Sequence, residues 1–538
     1  MALVSEILER ASFPSKYAIY ILPSLLLLYL TQQYFRNGLH RYPGPVLAKF
    51  TNLWRFLDVR SRHSEITHIG LHRKYGDVVR LGPNTLSFSS PSAIKVIYGL
   101  NKGFTKVCLS AISFGSPELT TTSQSEFYPV QMTVSKGEPL PSLFSTLDES
   151  FHANLRRSVN HAFSMSSLVQ YEPMVNETIE LFLNQTAALF ASPDQTCDFA
   201  RWLQFFAFDV IGSITYSKRH GFIEKNQDID GILKSLARIF DYSGPIGQMP
   251  WLDKLLWKNP VFDALQKWGL ADNSHPVAIF ARQRMNERMS SDTSSSSSSS
   301  TTTTTTSNTI SDSDPKTQKE DLLTKFMKAG KDRPDFMTEK RVLTMAVSMA
   351  FAGSETTAIS LAAVFYYLLK NPAYMARLRT ELDTAAADGT IENRPTGLVS
   401  WSESQKLPFL DACIKEAFRI CPAAGLLLER VVPKSGIEIA GEFVKGGTIV
   451  GCSAWVMHRR EEIFGPDVDT FDPDRWLRVD AEKLKIMNGT MLQFGAGART
   501  CIGKNISLME VYKLVPSFLR RFDVYSPLFP FPLFLFFG

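Results

Sequence analysis

The run Phe494-Gly495-Ala496-Gly497-Ala498-Arg499-Thr500-Cys501-Ile502-Gly503 constrains this chain more than any other, because it sets one cysteine in a glycine-rich turn ahead of a predicted helix. Gly495 and Gly497 permit a tight bend, expected to bring amide N–H groups close to the sulfur. A helix beginning near Cys501 would aim the positive end of its dipole at the same atom. Both effects favour thiolate over thiol. Gly503 leaves room for a flat macrocycle against the helix, and Arg499 stands where it could meet a carboxylate on a cofactor rim. This arrangement suits an axial ligand of haem iron, where a thiolate donates electron density that promotes cleavage of an oxygen–oxygen bond.

Other chemistries use similar turns. A phosphate-binding loop needs four residues between its glycines and Ser or Thr after the lysine. Here five residues separate Gly497 from Gly503, and Asn505 follows Lys504. A redox or nucleophilic cysteine at a helix N-terminus would also tolerate the turn. The segment resembles the haem-binding loop of the cytochrome P450 family, with Phe494, Gly495, Gly497, Arg499, Cys501 and Gly503 at the family's spacing.

Further segments bear on the resemblance. Ala352-Gly353-Ser354-Glu355-Thr356-Thr357 interrupts an apolar stretch from about Thr338 to Leu369, predicted to be a helix that crosses much of the molecule. Burying an acid and two hydroxyls mid-helix is costly unless they are paired or functional, though a lone Thr often bonds its own helix backbone. The set resembles the family's oxygen-binding segment. That resemblance makes Thr356 a donor to bound dioxygen and Glu355 part of the proton route, with Ala352 and Gly353 leaving space for oxygen. Glu416 and Arg419 share a helix face between Leu410 and Cys421, before Pro422 ends the helix. By resemblance they join Arg475, in Phe471-Asp472-Pro473-Asp474-Arg475-Trp476, in a buried network that holds the cysteine loop. His152 and Arg156 lie four apart on one face. The resemblance assigns them, with Arg430 and Arg499, to the haem propionates, whose burial requires cations.

Composition agrees with an intracellular, mainly helical protein. A net charge of +5 over 538 residues gives no basic stripe and so no nucleic-acid partner. Six cysteines show no Cys-x-x-Cys pair or regular framework, which favours a reducing compartment and argues against structural zinc. An apolar segment from Tyr17 to Leu30, extending from Ala11 to Phe35, with Arg36, Arg41 and Lys49 beyond it, predicts a single membrane anchor and a cytosolic domain. A cleaved signal peptide is the alternative, but no small-x-small cleavage site follows.

The expected organisation is an anchor and hinge at 1–41, a catalytic domain at 42–525 and an atypical apolar tail at 526–538. Tyr42-Pro43-Gly44-Pro45 resembles the family's stiff hinge, and the Ser/Thr tract at 290–309 reads as a disordered loop. Residues 107–125 read as an insertion into the family pattern or as the product of a retained intron.

The resemblance implies the P450 fold, mainly α with a minor β region, behind an N-terminal membrane-anchor helix in the endoplasmic reticulum. It implies a haem b monooxygenase that oxidises a lipophilic small molecule with O2 and electrons from NADPH through a separate flavoprotein reductase. Ala423, Ala424, Leu426, Leu427 and Leu428 are expected at the substrate pocket. The flavour is that of fungal secondary metabolism. Two alternatives stay open: a haem-thiolate isomerase or dehydratase needing no external electrons, and a catalytically impaired binding protein.

Overall fold

The computed structural model describes residues 20–99, 103–104, 127–135, 138–192, 195–270, 276–297 and 320–524. Its centre is the 32-residue helix Glu339–Lys370, about 48 Å long at the usual rise of about 1.5 Å per residue. By length and hydropathy alone this helix could cross a membrane, but Met345, Ala350, Leu361, Val364, Phe365 and Leu368 are at most 1% exposed. Helices Phe199–Tyr216, Pro276–Ser297, Leu322–Asp332, Pro408–Ile420 and Lys504–Leu519 all pack against it. The central helix stops at Lys370 because Pro372 cannot donate the next backbone bond. Pro372 instead opens the following helix, Pro372–Ala387.

The β region is small. Strands Val78–Gly82, Thr85–Phe88, Ile449–Gly451 and Arg430–Val431 form one sheet in that order. The first pair is antiparallel, the second parallel with Thr85 opposite Ile449, and the third antiparallel with Arg430 opposite Val450. Leu86, Phe88 and Val450 turn inward onto Ile97, Tyr98 and Cys452, making a second core beside the helical one. The mainly helical body with a minor sheet agrees with the expected fold class.

Residues 20–35 are helical, and Leu22, Leu25, Leu27 and Leu28 are more than half exposed. The end of this helix is fixed to the sheet by Arg80, which is fully buried. Its guanidinium donates to the carbonyls of Gln33 (2.7 Å), Tyr34 (2.8 Å), Lys49 (3.2 Å), Gly82 (3.2 Å) and Pro83 (2.7 Å). Burial lowers the pKa of Arg80 to about 10, which leaves it a cation at neutral pH. The Pro-Gly-Pro segment is docked rather than free. Arg80 N–H donates to Pro43 O at 2.7 Å, and a Cβ at Gly44 would fall 2.2 Å from Arg80 O.

The expected Ser/Thr loop begins later than the composition implies, because helix Pro276–Ser297 runs through residues 290–297. A helix already nucleated by residues 276–289 adds each further residue at little cost, so serine-rich sequence can extend it. The rest of that tract, the 107–125 stretch, the anchor residues before Tyr20 and the 526–538 tail lie outside the described residues.

Arg80→Ala leaves several buried carbonyls without a donor, each costing about 1–3 kcal/mol. The expected outcome is faster limited proteolysis between residues 36 and 52; cleavage at the wild-type rate would show that Arg80 does not hold this junction.

Candidate active site

The cysteine loop is closed by Cys501 N–H donating to Phe494 O at 2.8 Å and by Gly495 N–H donating to Leu492 O at 2.8 Å. Gly495 and Gly497 both adopt φ of +69°, and a Cβ at Gly497 would fall 1.9 Å from Tyr98 O. The helix Lys504–Leu519 starts after the cysteine, not at it. The amides that bond the sulfur are therefore those of Gly503 and Lys504, and not those of the two bending glycines. Burial pushes the Cys501 thiol up, while these amides and the charges of Arg156 and Lys504 pull it back. The side chain is exposed, and the space it faces is an internal cavity.

That cavity has a volume of about 2150 Å³, against about 300–1,000 Å³ for a typical small-ligand pocket. Cys501, Phe494, Gly495, Arg499 and Gly503 line it, together with Ala352, Gly353 and Thr356 of the central helix and His152 and Arg156 of helix Glu149–Val159. A Cβ at Gly503 would meet no protein atom within 4 Å, so the space beside the sulfur is clear for a flat group. The sulfur, the open glycine face and the neighbouring cations fit haem. Of the expected pocket residues, Ala423, Ala424 and Leu428 line the cavity, while Leu426 and Leu427 do not.

The central helix departs from expectation in three respects. The Thr356 hydroxyl faces the cavity but donates to Ala352 O at 2.7 Å, the backbone bond that a helical Thr readily makes. Glu355 is not among the cavity residues; it accepts from Gln204 Nε2 on helix Phe199–Tyr216, and burial raises its pKa. Gly353 serves close packing as well as open space, since a Cβ there would stand 3.0 Å from the Ile211 side chain.

Two acids do line the cavity, Glu287 and Glu510, the latter on the helix Lys504–Leu519 that follows the cysteine loop, and the motifs singled out neither; Glu510 is the one without a partner among the described residues. It is fully buried, neither carboxyl oxygen has a hydrogen-bond partner among the described residues, and burial raises its pKa well above the ordinary carboxyl range. Burial therefore favours its neutral, protonated form. Near it on the same helix, Ser507 accepts from Thr357 at 3.0 Å. The available signal was an ionisable residue inside the apolar run from Ile506 to Leu514.

The four expected cations do not act alike. Arg156 donates to Thr500 O at 2.7 Å and has no carboxylate partner among the described residues, and His152 is 4% exposed beside the cavity. Arg499 already has a protein carboxylate, with Glu149 accepting at 2.8 and 3.1 Å, and it also holds the carbonyls of Leu143 and Thr146. Arg430 lies outside the cavity lining. It donates to Glu429 O at 2.8 Å and to Tyr128 Oη at 3.3 Å, over the ring of Tyr98.

Behind the loop, Glu416 and Arg419 are fully buried and paired through two bonds, Nη2 to Oε1 at 2.8 Å and Nε to Oε2 at 2.9 Å. Glu416 also accepts from Arg475 Nε (3.2 Å), Trp476 Nε1 (2.9 Å) and Asp472 N–H (3.0 Å). The network reaches the cysteine loop through His458, which sequence reasoning missed. Leu492 N–H donates to His458 Nε2 at 2.7 Å, so the ring proton is on Nδ1, which donates to Arg419 O at 3.0 Å. Burial lowers the pKa of His458 to about 3 and keeps it neutral.

Burial alone would raise the Glu416 carboxyl, but the bond and charge of Arg419, with Asp472 and Arg475, outweigh it and hold the pKa low. A depressed carboxyl stabilises the fold above its unfolded pKa, and that stability is lost as pH falls through the folded value. Glu416→Gln should lower stability at neutral pH by about 3–5 kcal/mol by stranding buried guanidinium charge. The gap from wild type should narrow in acid. Equal thermal midpoints at neutral pH would show that the network carries no load.

Comparison with known proteins agrees with this geometry. The family model described as "Cytochrome P450" matches residues 120–529. A cytochrome P450 monooxygenase of Aspergillus terreus is 39% identical over 524 residues, 97% of this chain and 98% of that protein. Two from Emericella nidulans, cicH and pkfB, are 38% and 34% identical; the alignments cover 92% and 89% of this chain and 91% and 85% of theirs. With a cysteine loop opening on a cavity that the central helix also lines, and similarity over nearly its whole length, the chain belongs to the cytochrome P450 family of haem-thiolate monooxygenases.

Proposed function

We propose that this chain is a membrane-anchored monooxygenase that places one atom of O2 into a lipophilic small molecule. The other atom leaves as water, with electrons from NADPH arriving through a separate flavoprotein reductase. The observation that carries this reading is that Cys501 and Thr356, distant in sequence, line one cavity. Haem b held by Cys501 would supply the electron-rich iron at which the oxygen–oxygen bond is cleaved.

The rest of the work falls to the chain. The Gly503 and Lys504 amides, with Arg156, favour the thiolate form of Cys501. Thr356 presents its hydroxyl to the cavity and delivers a proton by exchanging its bond to Ala352 O. Glu510 lines the same space, and the burial that favours its neutral carboxyl makes it the second proton carrier. Glu355 bonds Gln204 outside the cavity lining, and its role is to fix the two helices. Leu343, Val347, Phe351 and Leu428 give the cavity an apolar wall suited to a lipophilic substrate. The exposed leucines of residues 20–35 support an anchor in the endoplasmic reticulum membrane, with the catalytic domain in the cytosol.

Thr356→Ala is expected to keep haem and raise severalfold the peroxide released per NADPH consumed; unchanged coupling would remove Thr356 from proton delivery. The two acids separate in the same assay. Glu510→Gln should lose coupling and Glu355→Gln should retain most of it, and the reverse order would contradict the assignment.

A further inference from the structure

Two more helices contribute to the cavity wall. From Ile232–Ile246, Ser235, Arg238 and Ile239 line it; from Pro276–Ser297, Ile279, Arg282, Gln283 and Asn286 do. Spacings of three, four and seven put each set on one helix face, so Arg238 and Arg282 share the cavity surface with these neighbours. Lys267, at the end of helix Pro260–Lys267, adds a third cation to the same lining.

Three nearby acids among the described residues are already committed. Asp241, one turn after Arg238, pairs with Arg62 at 2.6 Å. Glu287, which lines the cavity beyond Arg282, pairs with Arg284 at 2.7 Å. Asp253 pairs with Lys258 at 2.8 Å. Among the described residues, Arg238, Arg282 and Lys267 have no carboxylate partner. A cavity lined by unpaired charge of one sign beside low-dielectric walls concentrates the opposite charge. Here the apolar side chains in the same lining are Phe240, Trp257, Trp268 and Ile279, which are 41–73% exposed, so the two guanidinium groups sit in a wide, apolar-sided mouth. Guanidinium groups match a planar carboxylate through paired N–H donors.

We propose that the substrate is an amphiphilic acid, an apolar body bearing a carboxylate, and that Arg238 and Arg282 hold its anionic end. This deepens the proposed function and rests on it, since it takes this cavity to be the one in which the substrate is oxidised. Arg238 and Arg282 are specificity-determining residues and take no part in the chemistry at Cys501.

Equilibrium dialysis of the full chain in neutral detergent tests this, with dodecanoic acid and 2-naphthylacetic acid each compared with its primary amide. At low salt at least one acid should bind about tenfold or more tighter than its amide, the scale of one charge-assisted hydrogen bond. The preference should shrink with added salt, disappear in Arg238→Gln/Arg282→Gln and largely return in Arg238→Lys/Arg282→Lys. Two results would overturn the proposal: neither acid exceeding its amide, as for a merely solvated rim, or a preference that survives the double Gln substitution. Dialysis reads binding whatever the state of the haem. A failure of the haem-thiolate reading would show instead as loss of the reduced CO band in the same preparation, so the two failures are distinct.

Discussion

The Glu416 carboxylate, fully buried, is the charge around which the site is assembled. Two arginines, an indole N–H and a backbone amide converge on it. Arg419 passes the constraint on, because its carbonyl orients His458, and His458 takes the Leu492 amide just before the cysteine loop. Buried charge of this kind adds little net stability compared with an apolar core, but breaking it is costly. Its value here is positional: one carboxylate fixes where the cysteine loop starts.

From that fixed start, glycine geometry does the rest. Gly497 lets the loop pass so close to the Tyr98 backbone that a Cβ would stand 1.9 Å from Tyr98 O, and the sulfur comes to rest beside the amides of Gly503 and Lys504. Gly353 does the same service for the central helix, which closes onto Ile211 while exposing Ala352 and Thr356 to the cavity. Two close backbone approaches and one charge network therefore set the relation between the sulfur and the hydroxyl. The titratable groups are sorted by the same packing. Glu510 faces the cavity with no partner, whereas Glu355 is tied to Gln204.

What was legible in the sequence followed from short-range rules. The central helix was bounded to within a residue by its apolar run, and Glu416 and Arg419 were paired by their spacing on one face. What was not legible is which way a side chain turns once its helix is packed. Glu355 and Thr356 are adjacent, so the helix must send them to different neighbours, and no local pattern says which one meets the cavity. The Arg499 partner Glu149 was not foreseen because it is 350 residues away in the chain. His458 and Glu510 were missed because a single His or Glu in an apolar run looks like any core residue until its hydrogen bonds are known.

The central claim is that Cys501 is a thiolate ligand of haem iron, and the most direct measurement is the reduced CO difference spectrum of the purified full chain and of Cys501→Ser. The account predicts the strongly red-shifted Soret band of thiolate-ligated haem in the wild type and its disappearance in the variant. The same band persisting in Cys501→Ser, or a wild-type chain that binds no haem on reconstitution, would contradict it.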